Sequence, residues 1–413
     1  MHIIINLHKE MKKGGIILES WLKNEALALQ EQIVSWRREF HQCPELRMET
    51  PVTSHKIEEK LRQIGIEEIR TGIGGNGIAC VIHGNRPGKC LGIRADCDGL
   101  PIAEETGLPY ASTNGNMHAC GHDAHTAMAL GAAKLIWEHR NELTGDVKFI
   151  FQPFEEGDGG AKAMIADGVL ENPKVDAMIA LHTGNLMGSA FRSGDICYHP
   201  QMSSFAIRTF FVKFIGKGTH VATPHKGVDP ILTACHAVSQ IQALISRERA
   251  PNETAIVSIS IIRGGTRNNA VPDECYIEGT IRSTSKREQD YYYQRIEQVC
   301  GATAAGMRCT MEMGQIFDLM PTVNAPEMTR KFLKIAPKVV GADAMKEIKD
   351  LSPAGEDFAR FADVVPSVYF FHCSAFGDER DYPHHNSLFN INEDTLWSGS
   401  AIFAQFAMDW QQE

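Results

Sequence analysis

Apolar residues along this chain fall into two textures, helical spacing and short unbroken runs. Leu22, Leu27, Leu29, Ile33, Val34 and Trp36 share one face of a helix predicted over Trp21–Phe40, which Pro44 closes. Pro51–Ile64 reads as a second helix, with Thr50 at its N-cap and Gly65 as its stop. Ile78–His83 and Cys90–Ala95 are strand-like and predict a hairpin about the turn at 84–88. Val147–Phe151 and Ala177–Leu181 are continuous apolar runs that alternate with helices over 125–140 and 159–168. This alternation predicts α/β layering around a largely buried sheet.

Past Arg192–Pro200 the texture changes. A strand over Ser204–Ile215 leads through a Gly-rich turn, Gly216–His220, into a helix over Val228–Ser246. Strands at Ala255–Ile262 and Cys275–Ile281, a helix at Lys286–Ala305 and a strand at Arg308–Met313 follow. The order β-α-β-β-α-β predicts a ferredoxin-like unit inserted into the first domain. The α/β texture then returns, with helices at Ala325–Val340, Gly355–Phe361 and Glu393–Trp410 and a strand at Ser367–Phe371. The expected fold is therefore α/β: a mixed-sheet catalytic domain, 18–199 and 315–413, with helices on both faces, and an inserted domain over 200–314. Residues 1–17 read as a disordered extension, with Met11 as an alternative start.

Composition narrows the function classes. With 413 residues, 43% hydrophobic and 22% charged, the chain is ordinary for a globular protein of one large or two smaller domains. A net charge of −10 without a basic run argues against nucleic acid and anionic membranes as partners. The longest apolar runs are strand-sized, too short to span a bilayer. Eleven cysteines without framework spacing point to a reducing compartment, the cytoplasm.

The densest chemistry lies in Met117–Thr126, where Cys120, His118, His122, His125 and Asp123 fall within ten residues before an amphipathic helix. Cys120 and His122 are two apart, so on an extended segment both face the same way. A thiolate beside imidazoles suits zinc or a similar first-row metal. Three apolar runs deliver ionisable groups at their carboxyl ends: Asp96, Glu155-Glu156 and His182. Open α/β sheets bind ligands at that edge. Cys120, His122, Glu155 or Glu156, His182 and His385 are the candidate ligands. Five exceed the needs of one closed tetrahedral zinc, and two ions sharing ligands fit better. The adjacent glutamates permit one to bind metal while the other serves as general base.

These residues carry a family resemblance. Arg37–His41 with Pro44-Glu45-Leu46, Arg94–Ile102, Met117–Thr126, Phe151–Glu156, Leu181-His182, Gly216–His220, Asn269–Asp273, Gly279–Arg282, Gly355–Phe358 and His384-His385 resemble the aminoacylase, hippurate hydrolase and indole-acetyl-amino-acid hydrolase family of dinuclear metal amidohydrolases. The resemblance implies hydrolysis of N-acyl-amino acids by an enzyme that carries two divalent ions, zinc or manganese, with cobalt or nickel as alternatives. It implies that Cys120, His122, Glu156, His182 and His385 are the ligands and Glu155 the base. His220 would steady the oxyanion, Asn269 and Arg282 would hold the substrate carboxylate, and Gly355 would offer a backbone N–H. The inserted domain would act as a lid and form a homodimer. The chain departs from the family pattern at Thr183-Gly184-Asn185-Leu186, which lacks the prolines usual after His182, and at Asn386 and Asn390.

Other readings attach to the same residues. His118 and His125 read as support for the ligand loop, Asp96 and Asp98 as orienting groups, and His41 as a capping or packing residue. His384 reads as a neighbour of the ligand His385, and His225 competes with His220 for the lid role. A dipeptidase or carboxypeptidase of the same superfamily, a non-catalytic metal-binding protein, and a thiol hydrolase using Cys120 are the rival functions.

Overall fold

The computed structural model describes residues 22–157, 159–186, 190–349, 351 and 354–412. The extension expected over 1–17 lies outside them. Helices α1 (Leu22–Ala28), α2 (Gln30–His41) and α3 (Pro51–Ile64) precede strands β1 (Ile69–Ile73), β2 (Gly77–His83) and β3 (Arg86–Asp96). Then come α4 (His122–Glu138), β4 (Thr144–Gln152), α5 (Gly160–Ala166), β5 (Val175–Gly184) and β6 (Ile196–Tyr198). The inserted stretch holds β7 (Ala206–Ile215), β8 (Thr219–His220), α6 (Pro230–Glu248), β9 (Ala255–Gly264), β10 (Ala270–Val271), β11 (Glu274–Ser283), α7 (Lys286–Gly306) and β12 (Thr310–Leu319). The chain closes with α8 (Pro326–Val340), β13 (Met345–Glu347), α9 (Ala359–Ala362), β14 (Ser367–Cys373) and α10 (Leu396–Asp409). Two compact units result. One takes the described residues through Ser203, those from Thr322 to 351 and those from Glu356 onward; the other is Ser204–Pro321 with Ala354 and Gly355.

The first unit is built on a mixed sheet in the order β1-β2-β4-β3-β5-β14-β6-β13. Its central strands β4, β3, β5 and β14 run parallel. Alternate residues feed two cores, as β14 shows: Val368 and Phe370 join one, Tyr369 and Phe371 the other. Helices cover both faces, with α4 and α10 burying Leu130, Ile136, Ile402 and Phe406 on one and α5 and α9 burying Met164 and Phe361 on the other. None of the helices is long and apolar enough, over the described residues, to cross a membrane.

Four local expectations fail, the briefest being the helix expected over Gly355–Phe361, of which only Ala359–Ala362 forms. The β2–β3 hairpin does not form, because β4 lies between them, antiparallel to β2 and parallel to β3. Gly84 N donates to Gly145 O at 2.9 Å as the connection passes the start of β4. Strands apolar on both faces carry no mark of their neighbour, so adjacency was not in the pattern. The first helix is two helices, divided at Leu29, although the apolar face runs through the break. Thr50 makes no capping bond; the Glu45 carboxylate instead accepts from Val52 N (3.1 Å) and Thr53 N (2.8 Å).

The second unit has an antiparallel sheet in the order β12-β7-β11-β9. Phe210, Val212, Phe214, Ile277 and Ile281 pack with Ala237, Ile241, Tyr292 and Ile296 of α6 and α7 in one core. This is the ferredoxin-like arrangement. Strand β12 runs past residue 314 to Leu319, opposite Ile207. A register shift between Gln315 and Phe317 breaks its alternation, which is why the pattern fades near Met313. Strands β8 and β10 pair as a separate ribbon.

Candidate metal centre

Strands β3, β4 and β5 are parallel neighbours, so the segments leaving their carboxyl ends emerge at one edge. After β3 a long loop returns as Met117–Gly121 and starts α4 at His122. Gly121 sits at φ 88, a turn that L side chains disfavour. Cys120 and His122 therefore lie on either side of a bend, and tertiary contacts rather than an extended segment aim them.

The donors converge in overlapping groups. Cys120, Glu156 and His385 have donor atoms all within 4.8 Å of one another, as do His122, Glu155 and Glu156, and also Cys120, His182 and His384. The structure thus brings Cys120, His122, Glu156, His182 and His385 together. His385 Nε2 lies 3.2 Å from Glu156 Oε1, and His182 Nε2 lies 3.5 Å from Cys120 Sγ. The imidazole tautomers are set from behind. His122 Nδ1 donates to Asp98 O at 3.0 Å, and His182 Nδ1 to Thr183 O at 2.8 Å. Each ring then offers its Nε2 lone pair to the centre. His125 is excluded as a ligand, since its Nδ1 donates to Asp96 at 2.5 Å and its Nε2 accepts from Thr183 N at 2.7 Å.

The glutamates occupy a turn, not an extended segment. Phe154 at φ 56 begins it, and Asp98 clamps it, accepting from Glu155 N (3.1 Å) and Glu156 N (3.3 Å). Burial, then the negative charges of Glu356 and Glu156, pushes the Glu155 carboxyl well above the usual range. For Glu156 burial opposes ionisation, but the His385 hydrogen bond and the His122 charge outweigh it and hold the group low. Burial and the Glu156 charge push the Cys120 thiol well up, opposite to what a free nucleophilic thiolate needs. A bound cation reverses that balance.

These residues fit divalent metal. His122 Nε2 is buried and meets no protein hydrogen-bond partner. A buried polar atom left so costs about 1–3 kcal/mol. A thiol, imidazole nitrogens and carboxylate oxygens at this spacing form a donor set for zinc and related ions.

Two supporting networks were not legible in the chain. Arg94, fully buried within β3, contacts Asp96 (2.8 Å), Asp357 (2.9 Å), Glu356 (3.1 Å) and Gln152 (2.8 Å). Asp357 N in turn donates to Glu155 Oε1 at 3.2 Å, and Gln152 Nε2 to Asp357 at 2.7 Å. An arginine inside a continuous apolar run was the available signal, because a buried charge requires a partner. Behind α4, Asp123 binds Arg37 Nε (2.8 Å) and His41 Nδ1 (2.7 Å), while His41 Nε2 lies 3.2 Å from Glu104. His41 is thus an ion-pair partner rather than a cap.

The remaining candidates lie in the second unit. His220 of β8 pairs with Ala270 of β10, and Val221 N donates to Asn269 O at 3.3 Å, so His220 and Asn269 stand on one ribbon. His225 is on the adjoining turn at Pro224–Lys226. Arg282 lies on β11 opposite Ile207 and Ile256. A Cβ on Gly355 would come within 2.7 Å of Ile207 Cδ1 and 2.9 Å of Leu319 Cδ2.

An α/β sheet edge carrying overlapping metal-donor groups with an adjacent carboxylate suits metal-dependent hydrolysis. A family model for "Peptidase family M20/M25/M40" matches residues 92–409, and the chain belongs to that family. It is 34% identical over 411 residues to thermostable carboxypeptidase 1 of Saccharolobus solfataricus, covering 95% of this chain and 98% of that protein. It is 36% identical over 382 residues to N-acetyl-L-cysteine deacetylase of Bacillus subtilis, covering 92% and 88%. Among solved structures, the Bacillus subtilis YXEP protein, described as a dinuclear metal binding peptidase from the M20 family, matches with a TM-score of 0.78 and 30% identity, covering 92% and 98%. The protein is a hydrolase of amide bonds that uses two divalent ions.

Proposed function

We propose that the protein cleaves the amide bond of N-acyl-amino acids, releasing a carboxylic acid and a free amino acid. The observation that carries the chemistry is the placement of Glu155 beside the His122 and Glu156 donors. Cys120, His122, Glu156, His182 and His385 hold the two ions, which when bound supply Lewis-acid activation of water and of the scissile carbonyl. Glu155 takes the proton of the attacking water on a carboxylate oxygen and returns it to the leaving nitrogen. Asp98 and the Asp357 N–H keep that carboxylate aimed. His220 is assigned the oxyanion, Asn269 and Arg282 the amino-acid carboxylate, and Gly355 a backbone N–H to the substrate. The second unit serves as lid and as the contact of a homodimer. A cytoplasmic site accords with the cysteine pattern.

The substrate class draws on two of the relatives, a deacetylase of an N-acetyl-amino acid and a carboxypeptidase, both named for amides of amino acids. The carboxypeptidase favours a second reading, in which the acyl group is itself a peptide. One experiment separates them. The protein is stripped with a chelator, refilled with zinc, manganese, cobalt or nickel, and offered N-acetyl-amino acids, their amides and methyl esters, and matched dipeptides. N-acetyl-amino acids with a free carboxylate should be hydrolysed about a hundred-fold faster than the neutral analogues, since a site built for a polar group rejects its absence strongly. Equal rates for acids and amides would remove Arg282 and Asn269 from the assignment. Preference for dipeptides would select the second reading.

A further inference from the structure

Two adjacent histidines approach Cys120, not one. His385 groups with Cys120 and Glu156, and His384 groups separately with Cys120 and His182. We propose that His384 is a sixth protein donor to the centre, sharing one ion with Cys120 and His182 while His385 shares the other with Cys120 and Glu156.

His384 is built in from several directions. Both of its ring nitrogens are buried and bond to no protein group; the Cys120 backbone is close, but not in hydrogen-bond geometry. His118 is equally unbonded yet belongs to none of the donor groups, and His125 has spent both nitrogens. The rings of His182 and His384 stand 5.2 Å apart at 62°, an edge arrangement in which two nitrogens can face one point. Phe389 backs the His384 ring at 4.5 Å. His385 N donates to Ala119 O at 2.8 Å, which fastens this loop to the one bearing Cys120. The left-handed backbone of His385, φ 64, lets successive rings reach one centre instead of alternating as in a strand.

The departure from the family pattern after His182 now has a physical reading. Gly184, at φ 132, carries no Cβ; one added there would overlap His384 Nε2. Asn185 Nδ2 donates to Tyr382 O at 2.8 Å and holds the loop beside the end of β5. Gly184-Asn185 thus admits the His384 ring and anchors it. Two nitrogens and a thiolate on one ion favour zinc, cobalt or nickel over manganese at that position.

The proposal rests on the metal-centre reading and not on the substrate, so it is tested by metal binding alone. Wild type, His384→Ala and Gly184→Ala are stripped and titrated with cobalt(II). Stoichiometry is read by calorimetry and coordination by the visible d–d absorption. Wild type should take two ions. Both variants should bind one as wild type does and the other at least about tenfold more weakly, the lower end of what even outer-sphere changes cost, with an altered spectrum. Stripped His384→Ala should melt only a little below stripped wild type, because it loses the ring's packing on Phe389 but no hydrogen bond. Two ions bound by His384→Ala with wild-type affinity and spectrum would overturn the proposal. So would a stripped His384→Ala that melts far lower while its metal binding is unchanged, since the ring would then be structural. Failure of every N-acyl-amino acid as substrate would leave these titrations intact.

Discussion

Replacing Arg94 with methionine should destabilise the first unit severely while removing little volume. The guanidinium is the cation facing Asp96, Glu356 and Asp357, at 2.8, 3.1 and 2.9 Å, and it also donates to Gln152 at 2.8 Å. Taking away the guanidinium leaves buried Glu356 and Asp357 without their counter-charge and Asp96 relying on His125. Comparable losses run to about 3–5 kcal/mol. Arg94→Lys keeps the charge but not the planar fork, so its cost should fall between methionine and wild type. The described tryptophans, Trp36, Trp137, Trp397 and Trp410, all belong to the first unit, so their fluorescence follows that unit selectively. In urea the fluorescence midpoint should fall by about 1 M for the methionine variant, given slopes of a few kcal/mol per molar for a unit of this size. Adding Asp357→Asn removes one orphaned charge and should recover about 1–3 kcal/mol through the coupling of the pair. A methionine variant within about 0.5 kcal/mol of wild type, the range of an ordinary surface change, would refute the reasoning. A double variant with strictly additive losses would do the same for the pairing.

Three further outcomes are expected from the roles proposed and the contacts described. Glu155→Gln should lose about a hundred-fold or more in turnover with its metal content, read by elemental analysis, near wild type; metal loss there, with Glu156→Gln keeping its ions, would mean the two roles are exchanged. His220→Ala should lose about a hundred- to thousand-fold, and mixing it with Glu155→Gln under subunit exchange should restore up to roughly a quarter of wild-type activity if a homodimer shares its sites; no recovery after proven exchange places His220 in its own chain or outside the reaction. His83 is held by hydrogen bonds to Glu68 and Asp146, at 2.9 Å each, which raise its imidazole above 6.5. A raised histidine stabilises the fold fully below its unfolded value and loses that contribution as pH rises through the folded one. The NMR titration of His83 should therefore have its midpoint above about 6.5 and move down in Glu68→Gln; an unmoved midpoint would show that the pair does not form.

Much of the molecule could be read from the chain because its informative residues are rare and close together. Cys120, His122 and the Glu155-Glu156 pair sit at strand and helix boundaries that apolar runs marked well. What aims them was not readable. The bend at Gly121, the Asp98 clamp on the glutamates and the Thr183 bond to His125 are made by residues far apart in sequence. Arg94 and Asp357 are separated by 263 positions, and neither announces the other. Strand adjacency failed for the same reason: β4 enters between β2 and β3 only after α4 has been built. The split at Leu29 was hidden because the buried positions, Leu22 and Ala26 before it and Ile33, Trp36 and Phe40 after it, keep helical spacing across the break.

The sheet order bears on how the protein is made. Strand β14 lies between β5 and β6 in space but follows them by the whole inserted unit in sequence. During synthesis from the amino end, Ser204–Pro321 leaves the ribosome as one contiguous piece and can close its own core at once. The first unit cannot. The far edge of β5, the strand that carries His182, stays unpaired until residues 367–373 arrive, and the loop bearing His384 and His385 comes later still. On the ligand set proposed above, ions are captured firmly only after that point. The nascent chain therefore passes through a stage with a finished insertion and an open, apolar sheet edge in the unfinished unit, the stage most exposed to misassociation and to a folding helper.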